Sequence, residues 1–292
     1  MDASPERPGT LSARGSRLTL TIGWFSTGRD EAAGDLLTTA VDAIRKGALK
    51  AEISFVFSSR ERGEAGPSDR FFDLVQSYGL PLITLSYSRY RQERNLPVVR
   101  TGEPLLPWRR DYDREVARLI EPYPFDVGML AGFMLIFTEV VCQRWPLLNL
   151  HPAAPGGPIG MWQDVIWQLI AERAERSGIT IFRCTTELDR GPTVTYCTYP
   201  LRGATLDPLW RQVEGRSVKD IKAAEGEENA LFKEIRRQGA TRELPLIVAT
   251  LRAFADDRLR FQALDVVTPD GRPIRGYDLT PEVEAAVAPL LA

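Results

Sequence analysis

The sequence predicts an α/β protein with a mostly parallel twisted sheet and helices on both faces. Three observations lead there. Short β-branched runs such as Leu18-Thr19-Leu20-Thr21-Ile22-Gly23-Trp24 alternate with stretches whose apolar residues recur at helical spacing. The runs at 51–57 and 125–131 are almost continuously apolar, as strands covered on both faces must be. Finally, 43% of the 292 residues are apolar, enough to fill such a core in one α/β domain with an appended subdomain, without disulfide staples.

In chain order, residues 1–17 are rich in Pro, Gly, Ser and Arg and read as a flexible tail. Strand 18–24 leads through 25–29 into a helix at 30–46. The turn Ser26-Thr27-Gly28-Arg29-Asp30 therefore sets backbone amides at a helix N-terminus, either as a seat for an anion or as an ordinary cap. A strand at 51–57, a helix at 69–78 and a strand at 80–85 repeat the unit. Residues 86–108 interrupt it; Tyr87-Ser88-Arg89-Tyr90-Arg91-Gln92-Glu93-Arg94 reads as a basic patch with aromatics or, better, as a surface excursion or lid. An amphipathic helix at 110–120 and a strand at 125–131 follow.

Gly132-Phe133-Met134 comes next, at the carboxyl end of a strand, where open α/β sheets place ligands. Phe and Met are also ordinary core residues. After a short helix at 138–145, strand 147–150 is stopped by Pro152, and Pro152 to Pro158 is dense enough in Pro and Gly to form a rigid turn. A helix at 160–176 should turn Met161, Val165, Leu169 and Ile170 inward. Strand 178–184, a loop at 185–192 and an antiparallel return at 193–199 complete the sheet. The charged region 206–238 is mostly helical with a solvated face, and a further helix runs to about 255.

Charge and cysteine usage remove several classes of function. With 37 basic and 39 acidic residues, a net charge of -2 and no basic stripe, nucleic acid is not an expected partner. No run of about eighteen apolar residues occurs and the first residues carry no signal-like apolar stretch, so no membrane is expected and the setting is cytoplasmic. Cys142, Cys184 and Cys197 have no metal-ligand spacing, and with a single histidine the chain is read as metal-free with reduced, buried thiols.

That histidine carries the chemistry. In Leu147-Leu148-Asn149-Leu150-His151-Pro152 the side chains two apart leave the strand on one face, so the Asn149 carboxamide and the His151 imidazole share one side. A carboxamide donor, an imidazole and a carboxylate from Glu187-Leu188-Asp189-Arg190-Gly191-Pro192 would form a minimal apparatus for acyl transfer to an amine. A strand-end histidine satisfied by a carbonyl is the plainer alternative.

Ala131-Gly132-Phe133-Met134-Leu135-Ile136-Phe137, then Leu148-Asn149-Leu150-His151-Pro152, then Gly178-Ile179-Thr180-Ile181 leading to the Glu187–Pro192 segment resemble, in order and separation, the folate-dependent formyltransferases. The resemblance is nearest to the glycinamide ribonucleotide formyltransferases and runs from about residue 18 to 261. It implies a Rossmann-like formyltransferase fold with a catalytic domain at 18–265 that ends in a C-terminal helix and strand and carries an insertion at about 87–108; residues 266–292 add a C-terminal extension with a turn at 269–271 and a final helix. It implies 10-formyltetrahydrofolate as co-substrate, no metal, a small-molecule amine as acceptor, and a monomer or homodimer.

Residue by residue, the resemblance makes Asn149, His151 and Asp189 catalytic, the carboxylate favouring the imidazolium. It gives Phe133, Met134, Leu135, Ile136, Phe137, Thr185, Thr186, Glu187 and Leu188 to the folate, and Gly28, Arg29, Asp30 and Glu243 to the acceptor, with Glu228 as an alternative to Glu243. The family's turn at 26–30 is typically Gly-x-Gly-Ser-Asn and holds a phosphate. Here Gly28 alone remains of those glycines and Asp30 adds a negative charge, which leaves an amino sugar, an aminoacyl group or a specialised metabolite open as acceptor. A formyltetrahydrofolate hydrolase and a non-catalytic folate-binding relative are the other readings.

Overall fold

A computed structural model describes residues 19–98, 104–187 and 190–291. The tail 1–17, part of the insertion, Leu188 and Asp189 lie outside them. Eight strands form one sheet in the order β10-β7-β6-β5-β4-β1-β2-β3: β1 (Leu20–Phe25), β2 (Ala51–Ser58), β3 (Leu82–Thr84), β4 (Val127–Leu130), β5 (Leu147–His151), β6 (Arg176–Arg183), β7 (Thr193–Pro200) and β10 (Tyr277–Asp278). Strands β8 (Arg260–Gln262) and β9 (Asp265–Val267) pair separately as a hairpin. The sheet is parallel from β3 to β5, β6 runs against both its neighbours, and β10 pairs parallel with β7. This is the predicted Rossmann-like, mostly parallel architecture.

Helices cover both faces. One face packs on α1 (Glu31–Arg45), α2 (Gly66–Ser77), α6 (Trp162–Ala171), α7 (Asp207–Gln212), α8 (Val218–Ala224), α9 (Ala230–Ala255) and α10 (Thr280–Leu291), through a core that includes Trp24, Leu37, Met129, Leu148 and Phe232. The other face packs on α3 (Tyr87–Glu93), α4 (Trp108–Ile120) and α5 (Glu139–Cys142), through Phe25, Phe55, Phe57, Tyr112 and Phe137. Strands covered on both sides explain why β1 is buried along its whole length.

Three expectations are corrected by packing. The helix predicted at 160–176 is confined to Trp162–Ala171, and Met161 is 45% exposed instead of turned inward, while Val165, Leu169 and Ile170 are buried as expected. One continuous helix, α9, spans both predicted C-terminal helices and passes through Pro245. A proline removes one amide bond from a helix; here Leu246, Ile247, Thr250 and Leu251, all buried, hold the following turns against the sheet. The excursion at 87–108 forms no free lid over its described part: Tyr87 and Tyr90 pack on Trp108 and Tyr112 with ring centroids 5.2–6.4 Å apart. After 265 the expected final helix is present as α10; the segment also adds β10 to the sheet, and Arg242 of α9 is paired with Glu284 of α10 at 2.6 Å.

Candidate active site

Three segments converge at the carboxyl edge of the parallel strands. The first follows β1. Gly28 is buried in the left-handed region at φ +61°, and a Cβ there would lie 2.8 Å from the Phe71 ring, so glycine is required on both counts. The Gly28 amide donates to Ser26 Oγ (3.2 Å), and Asp30 caps α1 by accepting from Ala33 N (3.3 Å). Arg29 is exposed, its Nε 3.7 Å from Asp30 Oδ2. The turn is thus a cap in which Ser26 answers the Gly28 amide and Asp30 the Ala33 amide.

The second segment, residues 132–138, follows β4 and is tied to the first. Thr27 N donates to the Gly132 carbonyl (3.1 Å), and Met134 N donates to Thr27 Oγ1 (3.0 Å). Phe133 and Phe137 are buried and stacked on each other at 4.8 Å, with Phe25 edge-on to both. Their side chains are core, so what this segment offers a ligand is its backbone and the side chains of Met134, 44% exposed, and of the half-buried Leu135 and Ile136.

The third is β5. Asn149 lies opposite Phe182 and His151 opposite Thr180, so both leave one face of the strand, as a two-residue period demands. Asn149 is half-buried and His151 is buried. His151 Nε2 lies 2.7 Å from the Pro158 carbonyl oxygen. A carbonyl only accepts, so Nε2 carries a proton. The turn 152–158 is anchored in its turn by Thr180 Oγ1, which donates to the Ala153 carbonyl (2.8 Å). The Pro/Gly-rich turn therefore closes over the imidazole.

Past β6, Cys184 N donates to the Leu147 carbonyl (2.7 Å), which starts the next loop alongside β5. Thr185 is half-buried, and its Oγ1 accepts from Glu187 N (3.2 Å) in a local turn; Thr186 and Glu187 are exposed. The loop returns through Gly191, where a Cβ would fall 1.7 Å from the Arg183 carbonyl oxygen, so this glycine is a steric necessity. The placement of Asp189 and Leu188 lies outside the described residues. Glu243 is engaged by Arg236 (2.5 Å), whose guanidinium lies 4.8 Å over Trp162, and neither side chain bonds to the three segments. Glu228 pairs with Lys233.

Sequence reasoning missed Thr27, Pro158, Arg109 and Asp113. The last two stand on the inner stripe of α4 with Tyr112, Val116 and Ile120, and charges on an apolar stripe were the available signal. Burial pushes the thiols of Cys142 and Cys197 up to about 12, so neither is a nucleophile at neutral pH.

These groups stand at the carboxyl edge of an open α/β sheet, where such sheets place ligands. The family model described as formyl transferase matches residues 31–202, more than half of the chain, and the chain belongs to that family. It is a formyltransferase. It is 26% identical over 250 residues to the phosphoribosylglycinamide formyltransferase of Escherichia coli K12, covering 84% of this chain and 93% of the relative. Its fold is similar to that of the phosphoribosylglycinamide formyltransferase of Coxiella burnetii, with a TM-score of 0.61 at 19% identity over 89% and 99% of the two chains. It also resembles a formyltetrahydrofolate deformylase from Pseudomonas syringae, with a TM-score of 0.56 at 17% identity over 86% and 66%.

Proposed function

We propose that the protein transfers a formyl group from 10-formyltetrahydrofolate to a primary amine, with glycinamide ribonucleotide as the leading acceptor. The observation that carries this is the shared face of Asn149 and His151 beside an apolar rim. Met134, Ile159 and Met161 are 44%, 49% and 45% exposed and belong to the loops that follow β4 and β5. Water-exposed apolar groups gathered at one sheet edge suit a flat heteroaromatic ring, and the backbone of Leu135 and Ile136 suits its polar rim.

The donor supplies the formyl group. As the amine adds to the formyl carbon, the Asn149 carboxamide donates to the oxygen that takes up negative charge, and His151 moves the proton released by the amine. Asp189 is the proposed charge partner of His151. The acceptor is read from the relative at 26% identity, whose name describes a phosphoribosylglycinamide formyltransferase.

One observation favours a second acceptor. Asp30 places a carboxylate at the N-terminus of α1 and occupies Ala33 N, where a phosphate would otherwise sit. An amine without that phosphate avoids the repulsion. The test is turnover with 10-formyltetrahydrofolate against a panel of amines that includes glycinamide ribonucleotide, with free formate measured alongside. Formylation of the ribonucleotide supports the first reading; formylation of a different amine selects the second; formate release with no amine formylated overturns both.

A further inference from the structure

Beneath residues 132–138 lies a buried ion pair that the chemistry above does not use. Arg109 and Asp113 are one turn apart on α4 and expose 3% and 0% of their side chains, with Nη2 3.5 Å from Oδ1. Each reaches past its partner to the loop: Arg109 Nη2 donates to the Ile136 carbonyl (2.9 Å), and Asp113 Oδ2 accepts from Thr138 N (2.5 Å). The loop lies between β4 and α5, outside any ladder, so its buried backbone groups need such partners. Arg109 is in turn ringed by Tyr87, Trp108 and Tyr112, its guanidinium carbon 5.0, 5.8 and 5.6 Å from their ring centroids. Tyr112 donates to the Leu85 carbonyl (2.7 Å), which fixes α4 to the end of β3.

Stability alone does not call for this arrangement. Among the described residues, Trp108 Nε1 and Arg109 Nε are buried without a hydrogen bond. Burial also holds the Asp113 carboxyl above its ordinary range, against the pull of the Thr138 amide and Arg109. An apolar contact of equal volume avoids these costs and commonly matches or exceeds a buried pair in stability. What an apolar contact cannot do is hold one carbonyl and one amide of an irregular loop at fixed positions.

We propose that Arg109 and Asp113 are positioning residues for the donor: by fixing the backbone at Ile136 and Thr138 they set the affinity for the folate without touching the reacting atoms. The inference rests on the reading that residues 132–138 receive the donor. The aromatic part of the 87–108 insertion then serves as a clasp around Arg109.

The test compares the full-length wild type with Asp113→Asn, which keeps an acceptor oxygen for the Thr138 amide, and with the charge-free double variant Arg109→Met/Asp113→Leu, which keeps side-chain volume and removes both braces at once. The expected result for the double variant is a rise of about tenfold or more in KM for 10-formyltetrahydrofolate. KM for the amine, and kcat at saturating donor, should stay within about threefold. Amide hydrogen exchange should accelerate at residues 132–138 and not across the sheet. Unchanged donor KM and unchanged exchange in the loop, whatever happens to Tm, overturns the proposal. The exchange measurement needs no substrate. If the wild type fails to use the folate donor, local acceleration still supports the brace while the donor reading falls, and absence of acceleration rejects the brace on its own evidence.

Discussion

The two segments that meet at the carboxyl ends of β1 and β4 are built in opposite ways. Residues 132–138 are held from below by side chains remote in sequence: Phe25 against Phe133 and Phe137, Arg109 on the Ile136 carbonyl, Asp113 on the Thr138 amide. The turn at 26–30 is buried and bonded to its neighbours through Thr27, and it becomes exposed only at Arg29 and at Asp30, which caps its own helix at Ala33. Backbone fixed by a core changes only when the core changes. The exposed residues Arg29 and Asp30 can be rewritten one at a time without disturbing the sheet. In this formyltransferase, the proposed donor side is thus the conservative half of the site and the proposed acceptor side the adjustable half.

The largest effect is expected between the two segments. Asn149→Ala should lower kcat by about a hundred- to a thousandfold, the usual cost of one oxyanion donor. Donor and acceptor KM should change far less, because the half-buried Asn149 belongs to neither segment. Equal loss in KM and kcat would show that Asn149 binds substrate instead of assisting the chemistry, and the division into two binding halves around one reacting centre would need redrawing.

Next in size is Gly28→Ala, which tests whether the adjustable half has a fixed point. Left-handed backbone costs a non-glycine residue about 1–2 kcal/mol, and overpacking adds about 1–3 kcal/mol. The new Cβ would stand 2.8–2.9 Å from Phe71, itself buried, which leaves little room to yield. Urea denaturation should show a loss of that order. A neutral result would mean that the turn is free along its whole length, Gly28 included.

The fold was legible in the sequence because period decides it: β-branched runs and helical spacing marked every strand from β1 to β7 to within a few residues. The same two-residue period puts Asn149 and His151 on one face of β5. What period does not encode is who answers a polar group. Pro158 reaches His151 through its backbone, Asp30 turns back on its own helix, and Glu243 is taken by Arg236 seven residues earlier on α9. Phe133 and Phe137 have the composition of a ligand wall and the burial of a core, and only the aromatic neighbours from β1 and β2 separate the two. Arg109 and Asp113 were visible as charges on an inner stripe, yet their target, a loop more than twenty residues on, was not.

A smaller effect sharpens the contrast at the turn. Asp30→Ala removes an N-cap and should cost about 1 kcal/mol. Asp30→Asn keeps the cap and removes only the charge, so stability should hold. With a phosphate-bearing amine as substrate, Asp30→Asn should lower the acceptor KM several-fold and leave the donor KM unaltered. A matching change in donor KM would show that the two halves are coupled through Thr27 and Met134, which share a 3.0 Å hydrogen bond, and are not separately adjustable.

The smallest expected effect concerns pH and the buried pair. Desolvation raises the Asp113 carboxyl above its ordinary value, with the Thr138 amide and Arg109 opposing. The folded chain therefore binds the proton more tightly than the unfolded chain, whose carboxyl titrates at about 3.9. Between that value and the raised one, stability falls as pH rises, and above the window the group's contribution is lost. Asp113→Asn has no such titration, while exposed groups such as Glu139, held below the ordinary range by Arg110, are common to both proteins and cancel. The wild type minus Asp113→Asn difference in Tm should become more positive as pH is lowered from neutrality toward the carboxylate range. The change should be a few degrees, since about 1 kcal/mol moves the Tm of a chain of 150–250 residues by about 2–4 °C. A flat difference would mean that the Asp113 carboxyl is hydrated. The loop at 132–138 would then be no more firmly held than the turn at 26–30.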